Sequence, residues 1–131
     1  MAISVTDGIE QAMLDAGLAL VNQGNFVLKT ASGGTTLATL PLHVSASAFL
    51  PAATSGGVTS ASSRVVNASG APTPGTIGWG ELQNAGNTQR WAFSIGVAGD
   101  GADMTVADKV IPGTATSVTS GGITISLAVG V

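Results

Sequence analysis

The sequence predicts a mainly β protein: an antiparallel β-sandwich or barrel-like domain with one N-terminal α-helix. Helical periodicity is confined to residues 7–22, near the start of the chain. The remaining residues divide into short β-prone segments separated by glycine, proline and asparagine turns, with no helical pattern between them. Strands at this spacing are typical of all-β sandwiches and barrels. The length of the chain is that of a single domain, residues 1–131.

The predicted helix is supported by apolar residues at helical spacing and by a start signal. The apolar residues are Ile9, Met13, Leu14, Ala16, Leu18, Leu20 and Val21. Asp7 and Glu10 have the spacing of a capping box, in which two side chains satisfy free backbone N–H groups at the start of a helix. An apolar stripe of this kind usually faces the core. We therefore expect Met13, Leu20 and Val21 to be buried.

The β-rich body is expected to span residues 26–131. Its clearest strand lies at residues 89–97, where aromatic and aliphatic residues alternate with small or polar ones. A period of two residues is typical of a strand with one buried face. The last strands are expected at residues 118–129. Residues 45–75 are rich in glycine, serine, threonine and alanine, and this composition predicts a flexible segment.

The chain is poor in charge. It has four basic and seven acidic side chains among 131 residues, and its net charge is −3. Charged residues make up about a quarter of an ordinary soluble domain. No apolar run reaches the roughly 18 to 20 residues that a membrane helix needs. A surface of this composition is most simply buried against other protein subunits, so the sequence predicts a component of an assembly.

Several classes of partner and site are not expected from the composition. The basic residues Lys29, Arg64, Arg90 and Lys109 are scattered, whereas nucleic-acid binding requires clustered cations. The chain has no cysteine, so disulfides, thiolate metal sites and cysteine nucleophiles are excluded. The first residues lack the basic and apolar regions of a secretory signal, and we expect none there.

No catalytic or cofactor site is expected, and the chain is not predicted to be an enzyme. His43 is the only histidine, and no local motif supplies the serine and the acid of a catalytic triad. Glu81 and Asp103 are two of seven acidic residues, so choosing them as the carboxylate pair of a glycosidase is arbitrary. Structural roles are the preferred interpretation for all three residues.

Three aspartates, Asp100, Asp103 and Asp108, lie in one glycine-containing stretch. Oxygen ligands in such a turn suit calcium, but their spacing does not match the loop of an EF-hand. Aspartates also cap turns, because their carboxylates accept hydrogen bonds from nearby backbone N–H groups. We expect turn capping and no required metal ion at these residues.

The interface candidates are Trp79, Arg90, Trp91, Met13 and Leu20. Tryptophan and arginine are enriched at binding hot spots, and Arg90 is next to Trp91 in the sequence. The period-two pattern places Trp91 on the apolar face of its strand, which favours a core position. Trp79 lies between two glycines that leave its ring accessible, so core and interface positions both remain open for it.

The chain has a distinctive order of short hairpins, glycine turns and strands. The segments that show this order are Met13–Val21, Lys29–Thr30, Leu37–Leu42, Ala48–Phe49, Gly75–Trp79, Glu81–Thr88, Trp91–Gly99, Gly101–Val106, Ile111–Thr114 and Ser120–Ile125. This order resembles that of a group of small structural proteins of tailed bacteriophages, and the likeness covers most of the chain. The stretch Asn87–Arg90 and the additional Asp100 depart from the pattern of that group.

The resemblance implies a virion structural protein and leaves a place in the head or in the tail open. The small size, acidic net charge and few charged residues of the chain favour a head decoration (cement) protein that binds the outer capsid surface and stabilises the DNA-filled head. The implied partners are the major capsid protein and copies of the chain itself, as a trimer. The implied location is the outer surface of the phage head, after synthesis in the host cytoplasm. The first alternative is a tail subunit (tube, tip or fibre attachment), and the second is a carbohydrate-binding accessory domain.

Overall fold

The computed structural model describes residues 5–127, which form one helix and ten strands. The helix is α1 (Asp7–Ala19). The strands are β1 (Asn25–Lys29), β2 (Thr36–Pro41), β3 (Ala53–Ser55), β4 (Val58–Ser62), β5 (Gly75–Thr76), β6 (Trp79–Gln83), β7 (Arg90–Gly96), β8 (Met104–Thr105), β9 (Val110–Ile111) and β10 (Thr124–Leu127). The predicted class, mainly β with one N-terminal helix, is confirmed.

The strands form two larger sheets and one short pair. The five-stranded sheet has the order β2-β1-β6-β7-β8, and the three-stranded sheet has the order β10-β4-β3. All neighbouring strands are antiparallel except β7 and β8, which run parallel. Strands β5 and β9 form the separate pair. Within the described residues the sheets do not close into a barrel, so the sandwich is the better of the two predicted architectures.

The hydrophobic core lies between the inner face of the five-stranded sheet, the three-stranded sheet and α1. Its largest fully buried apolar side chains are Leu14, Val21, Leu40, Leu42 and Leu82. On the inner face of the large sheet, Phe26 of β1 and Phe93 of β7 approach each other with ring centroids 6.1 Å apart, within the range of favourable aromatic pairs.

The helix ends at Ala19, three residues before the predicted end. The N–H groups of Val21 and Asn22 bind carbonyl oxygens three residues earlier, at 3.2 Å each, so the last turn is tighter than an α-helix. Gln23 then adopts a positive φ of 62°. At the next position, a Cβ on Gly24 would overlap the carbonyl oxygen of Gln83, so only glycine allows the chain to enter β1 this close to β6.

The prediction of which helix face is buried was wrong for Met13 and Leu20 and right for Val21. Met13 and Leu20 are 51% and 56% exposed, whereas Val21 is fully buried. The buried face of α1 carries Glu10, Leu14 and Leu18 instead. Two apolar stripes lie on this helix, and β4 packs against the one that contains Leu14.

A partly buried chain of hydrogen bonds stabilises this choice of face. Gln11 Nε2 donates to Thr54 Oγ1 (3.0 Å), and the hydroxyl of Thr59 donates to Glu10 Oε2 (2.8 Å). The two threonine hydroxyls are 2.7 Å apart, and because Thr59 gives its hydrogen to Glu10, Thr54 donates to Thr59. Glu10 therefore links α1 to β4 through a hydrogen bond. The expected capping box of Asp7 and Glu10 does not form, and the N-cap residue is Thr6.

The stretch expected to be flexible, residues 45–75, contains the hairpin β3–β4. Thr59 and Ala61 of β4 are buried, and Val66 further along also reaches the core. The small residues of this stretch therefore serve close packing. Of the strands expected at residues 118–129, the structure contains β10 at Thr124–Leu127. The expectation was wrong for residues 118–123, which are not in a strand, and residues 128 and 129 lie outside the described residues.

No helix in the described part of the chain is long and apolar enough to cross a membrane.

Candidate interaction surfaces

The structure distributes the five interface candidates over three places. Trp79 and Arg90 come together on the outer face of the five-stranded sheet, around Glu81. Trp91 lies on the inner face of the same sheet, against α1. Met13 is exposed on α1, and Leu20 is exposed directly after the last residue of α1. The site residues therefore form two separate surfaces and one core contact.

The first surface is the Glu81 cluster: Glu81 with Lys29, Trp79, Gln83 and Arg90. Strand alternation places Trp79, Glu81 and Gln83 of β6 on the outer face, beside Lys29 of β1 and Arg90 of β7. Gln83 Nε2 donates to Glu81 Oε1 (2.8 Å) and Trp79 Nε1 donates to Glu81 Oε2 (3.2 Å). Lys29 Nζ and Arg90 Nη1 each lie 3.4 Å from Glu81 Oε1.

The electrostatics of the cluster keep Glu81 ionised. Burial raises the pKa of Glu81, which is 3% exposed. The hydrogen bond from Gln83, the charge and hydrogen bond of Lys29, and the hydrogen bond from Trp79 outweigh burial and hold the pKa below its usual value. One carboxylate facing two cations leaves the cluster with a charge of +1. The half-exposed Arg90 carries that charge at the protein surface.

Sequence reasoning singled out Trp79 and Arg90 but missed their shared partner. Glu81 was considered only with Asp103, and the two acids have different partners in the structure, because the Asp103 carboxylate accepts hydrogen bonds from Ser94. The local signal for this cluster was the alternation of Trp79, Glu81 and Gln83, which places three side chains with hydrogen-bonding groups on one face of the strand. The indole N–H of Trp79 is bound to Glu81, so this ring is a fixed part of the cluster.

Trp91 is a contact between the large sheet and the helix. Its Nε1 donates to the carbonyl oxygen of Gly17 (3.1 Å). A Cβ on Gly17 would lie 2.7 Å from the Trp91 ring, so glycine is required for the helix to approach this closely. The structure places Trp91 in the core arrangement that its alternation pattern favours.

The second surface is the helix stripe, formed by Ile9, Met13 and Leu20. These side chains are 50%, 51% and 56% exposed. Ile9 and Met13 lie on α1, Leu20 directly follows it, and the three recur at helical spacing beside the buried face of Glu10, Leu14 and Leu18. A single exposed apolar residue is ordinary at a protein surface, whereas several on one side of a helix make that side a candidate interaction surface. Sequence reasoning found two of its members as interface candidates while expecting them to be buried within the domain.

The three aspartates of the 100–108 stretch accept hydrogen bonds from different groups. Asp100 binds the N–H of Val97 (3.0 Å) and forms an ion pair with Lys109 at 2.7 Å. The Lys109 hydrogen bond is the main reason why the pKa of Asp100 is lowered. Asp108 accepts from the N–H of Val110 (2.9 Å). Asp103 accepts from the N–H of Ser94. Each of the three aspartate carboxylates therefore binds a backbone N–H, which is the turn-capping role expected from the sequence.

Chelation is expected to leave this turn unchanged. Among residues 5–127, no group of three or more histidine or acidic side chains is arranged to hold a metal ion. Addition of EDTA should therefore not alter the melting temperature of the purified protein, as measured by differential scanning calorimetry. A fall in melting temperature on chelation that calcium restores would contradict this prediction.

His43 is in a structural position, where its Nδ1 accepts a hydrogen bond from the N–H of Ser45 at 3.3 Å.

The chain matches no protein-family model, no curated protein and no solved structure in the comparisons made. The two surfaces therefore have to be interpreted from their own geometry and chemistry.

Proposed function

We propose that the chain is a structural protein of a tailed-bacteriophage particle, and specifically a head decoration protein on the outer capsid surface. The order of turns and strands suggests this class of protein, and a mainly β domain suits it. The observation that carries the proposal is the helix stripe, because its side chains remain exposed in a domain that has an adequate core without them.

The physical argument rests on the free energy of covering the helix stripe. Fully burying a side chain of this size contributes about 1.5–3 kcal/mol. Ile9, Met13 and Leu20 are each about half exposed, so contact with another protein would recover part of that free energy for each of them. The surrounding helix surface offers few charges for ion pairs, so apolar contact is the main source of affinity.

The proposed occupant of the helix stripe is the major capsid protein. A net charge of −3 disfavours contact with packaged DNA, and this suits a subunit on the outside of a filled head. Neither DNA nor a membrane is part of the proposal. The subunit would be delivered to the head after synthesis in the host cytoplasm, and it would stabilise the shell by bridging neighbouring capsid subunits.

Co-sedimentation tests this function. The purified protein is expected to sediment with expanded heads that lack it, and not with isolated tails. Met13→Ser should weaken head binding by about fourfold to tenfold, because about half of the apolar burial of one side chain is lost. The control is Val65→Ser, which removes another exposed apolar side chain (68% exposed) that does not belong to the helix stripe.

Salt separates apolar from ionic contact in the same experiment. Binding should persist at about 1 M salt, where exposed charges are screened within about 3 Å. Co-sedimentation with tails alone would contradict the decoration proposal and support a tail subunit. Equal loss of head binding in the Met13 and Val65 variants would show that the helix stripe is not the contact.

A further inference from the structure

One edge of the five-stranded sheet is only partly covered. Strand β7 pairs with β6 from Arg90 to Ser94, whereas β8 pairs with β7 only at Ile95 and Gly96. An unpaired strand edge is a template for another strand, because its backbone donors and acceptors have no fixed partners. Within the described residues, the first half of β7 is such an edge.

The direction of the backbone groups identifies which residues are available. The N–H of Ile95 donates to the carbonyl oxygen of Gly78, on the β6 side (3.1 Å). Since direction alternates along a strand, Arg90, Ala92 and Ser94 point their backbone groups away from β6. The N–H of Ser94 is already bound by the Asp103 carboxylate (3.0 Å), and its C=O faces β8, which pairs with β7 from Ile95 onward. The open groups are therefore the N–H and C=O of Arg90 and of Ala92.

A cleft of about 990 Å³, lined by both apolar and polar residues, lies beside this edge. Its apolar wall includes Trp91 and Phe93 of β7 and Ile125 of β10. Trp91, Phe93 and Ile125 are only partly buried, although they pack against the core. A small apolar molecule would leave the backbone groups of the edge unpaired, whereas a strand would satisfy both the edge and the apolar wall.

We propose that two copies of this chain pair through the β7 edge, antiparallel and related by a two-fold axis at Trp91. In this register Arg90 of each copy lies opposite Ala92 of the other. The N–H and C=O groups of these residues then form four hydrogen bonds, and none of the open groups remains unpaired. The five-stranded sheet continues into the sheet of the second copy.

The side chains near the edge favour a second copy as the occupant. Ala92 is small and exposed, and it leaves room on the outer face for Arg90 of the second copy. Diagonal cross-strand neighbours lie about 7–8 Å apart, within reach of a long side chain. Arg90 of one copy can therefore approach Asp103 beside Ser94 of the other. Asp103 forms no ion pair within residues 5–127, so the two copies have complementary charges at this point.

The pairing is independent of contact with a phage head, and its geometry differs from the trimer that the resemblance implies. A two-fold contact uses the same patch on both copies and closes after two subunits. The particle mass of the purified protein in solution therefore tests it directly, and failure of head binding would leave the result unaffected.

Sedimentation equilibrium of the purified full chain is the first test. The wild-type protein should show twice the 12.7 kDa of the chain at high micromolar concentration. Ala92→Pro should shift it to the monomer, because it removes an edge donor while β6–β7 pairing is kept. The matched control is Thr39→Pro on the opposite edge of the sheet, where the N–H also points away from the neighbouring strand, and it should remain dimeric.

Cysteine cross-linking tests the register, and the chain has no cysteine of its own. Directly opposite residues in a hydrogen-bonded pair have Cα atoms about 5.5 Å apart, within disulfide range. Under oxidation, a mixture of Arg90→Cys and Ala92→Cys chains should give cross-linked dimers, and either variant alone should not. A monomeric or trimeric wild-type protein, a dimeric Ala92→Pro protein, or efficient cross-linking of Ala92→Cys with itself would overturn the proposed pairing.

Discussion

Replacing Leu14 with alanine is expected to lower the free energy of unfolding by about 2–5 kcal/mol, the range for truncating a buried leucine. Leu14 is 1% exposed, and it lies on the helix face that packs against β4. Leu20→Ala, a change of the same chemistry in the same segment, should alter the free energy of unfolding by less than about 0.5 kcal/mol, because Leu20 projects into solvent. Urea denaturation of both variants measures the difference.

The comparison is sensitive to which face of α1 is buried. If Leu20→Ala destabilises the purified protein as much as Leu14→Ala does, α1 packs with its other face inward and the helix stripe does not exist. Loss of the dimer proposed above could contribute to either value, so the two variants should be compared at several protein concentrations.

Replacing Glu81 with glutamine is expected to lower the free energy of unfolding by about 1–3 kcal/mol, because charge-assisted hydrogen bonds are lost and a largely buried cation is left unpaired. The side chain of Lys29 is 15% exposed and lies 3.4 Å from the carboxylate of Glu81. The glutamine side chain keeps the size of the original, so packing around Trp79 and Gln83 is retained. The control is Asp7→Asn, which removes an exposed carboxylate elsewhere.

The effect of Glu81→Gln should depend on pH in a defined direction. The pKa of Glu81 in the folded protein is below its usual value of 4.5. A group with a lowered folded pKa contributes stability above its unfolded pKa and loses it as the pH falls through the folded pKa. The difference between wild type and variant should therefore be largest above pH 4.5 and shrink on further acidification. A difference that stays constant or grows in acid would contradict an ionised Glu81 in the cluster.

The fold class follows from local patterns in the sequence. The alternation at residues 89–97 predicts β7, and the observed strand is Arg90–Gly96. The helical period at residues 7–22 predicts α1, which is found at Asp7–Ala19. Local periodicity succeeds in these segments because each pattern agrees with one regular structure and with one buried face or stripe.

The buried face of α1 was not predictable because both faces carry apolar residues. Leu14 and Leu18 form one stripe, and Met13 and Leu20 belong to the other. Periodicity cannot choose between the stripes, and the choice depends on a distant residue, Thr59 of β4, which binds Glu10. The burial of α1 is therefore set by tertiary contacts that no local pattern contains.

The Glu81 cluster was only half predictable for a similar reason. Trp79, Glu81 and Gln83 share one face of β6 through simple alternation. Lys29 and Arg90 reach the same point because β1 and β7 flank β6 in a particular register. Strand order and register are set by long-range pairing, so the two cations could not be assigned to Glu81 from the sequence.

The central claim is that this chain is a structural subunit on the outside of the head. Electron microscopy of labelled phage particles tests this claim most directly. Gly70→Cys supplies a unique thiol for a gold label, since the chain has no cysteine and a Cβ at the exposed Gly70 would meet no atom within 4 Å. The predicted result is label in many regularly spaced copies over the outer surface of the head. Label confined to the tail, or absent from the particle, would contradict it.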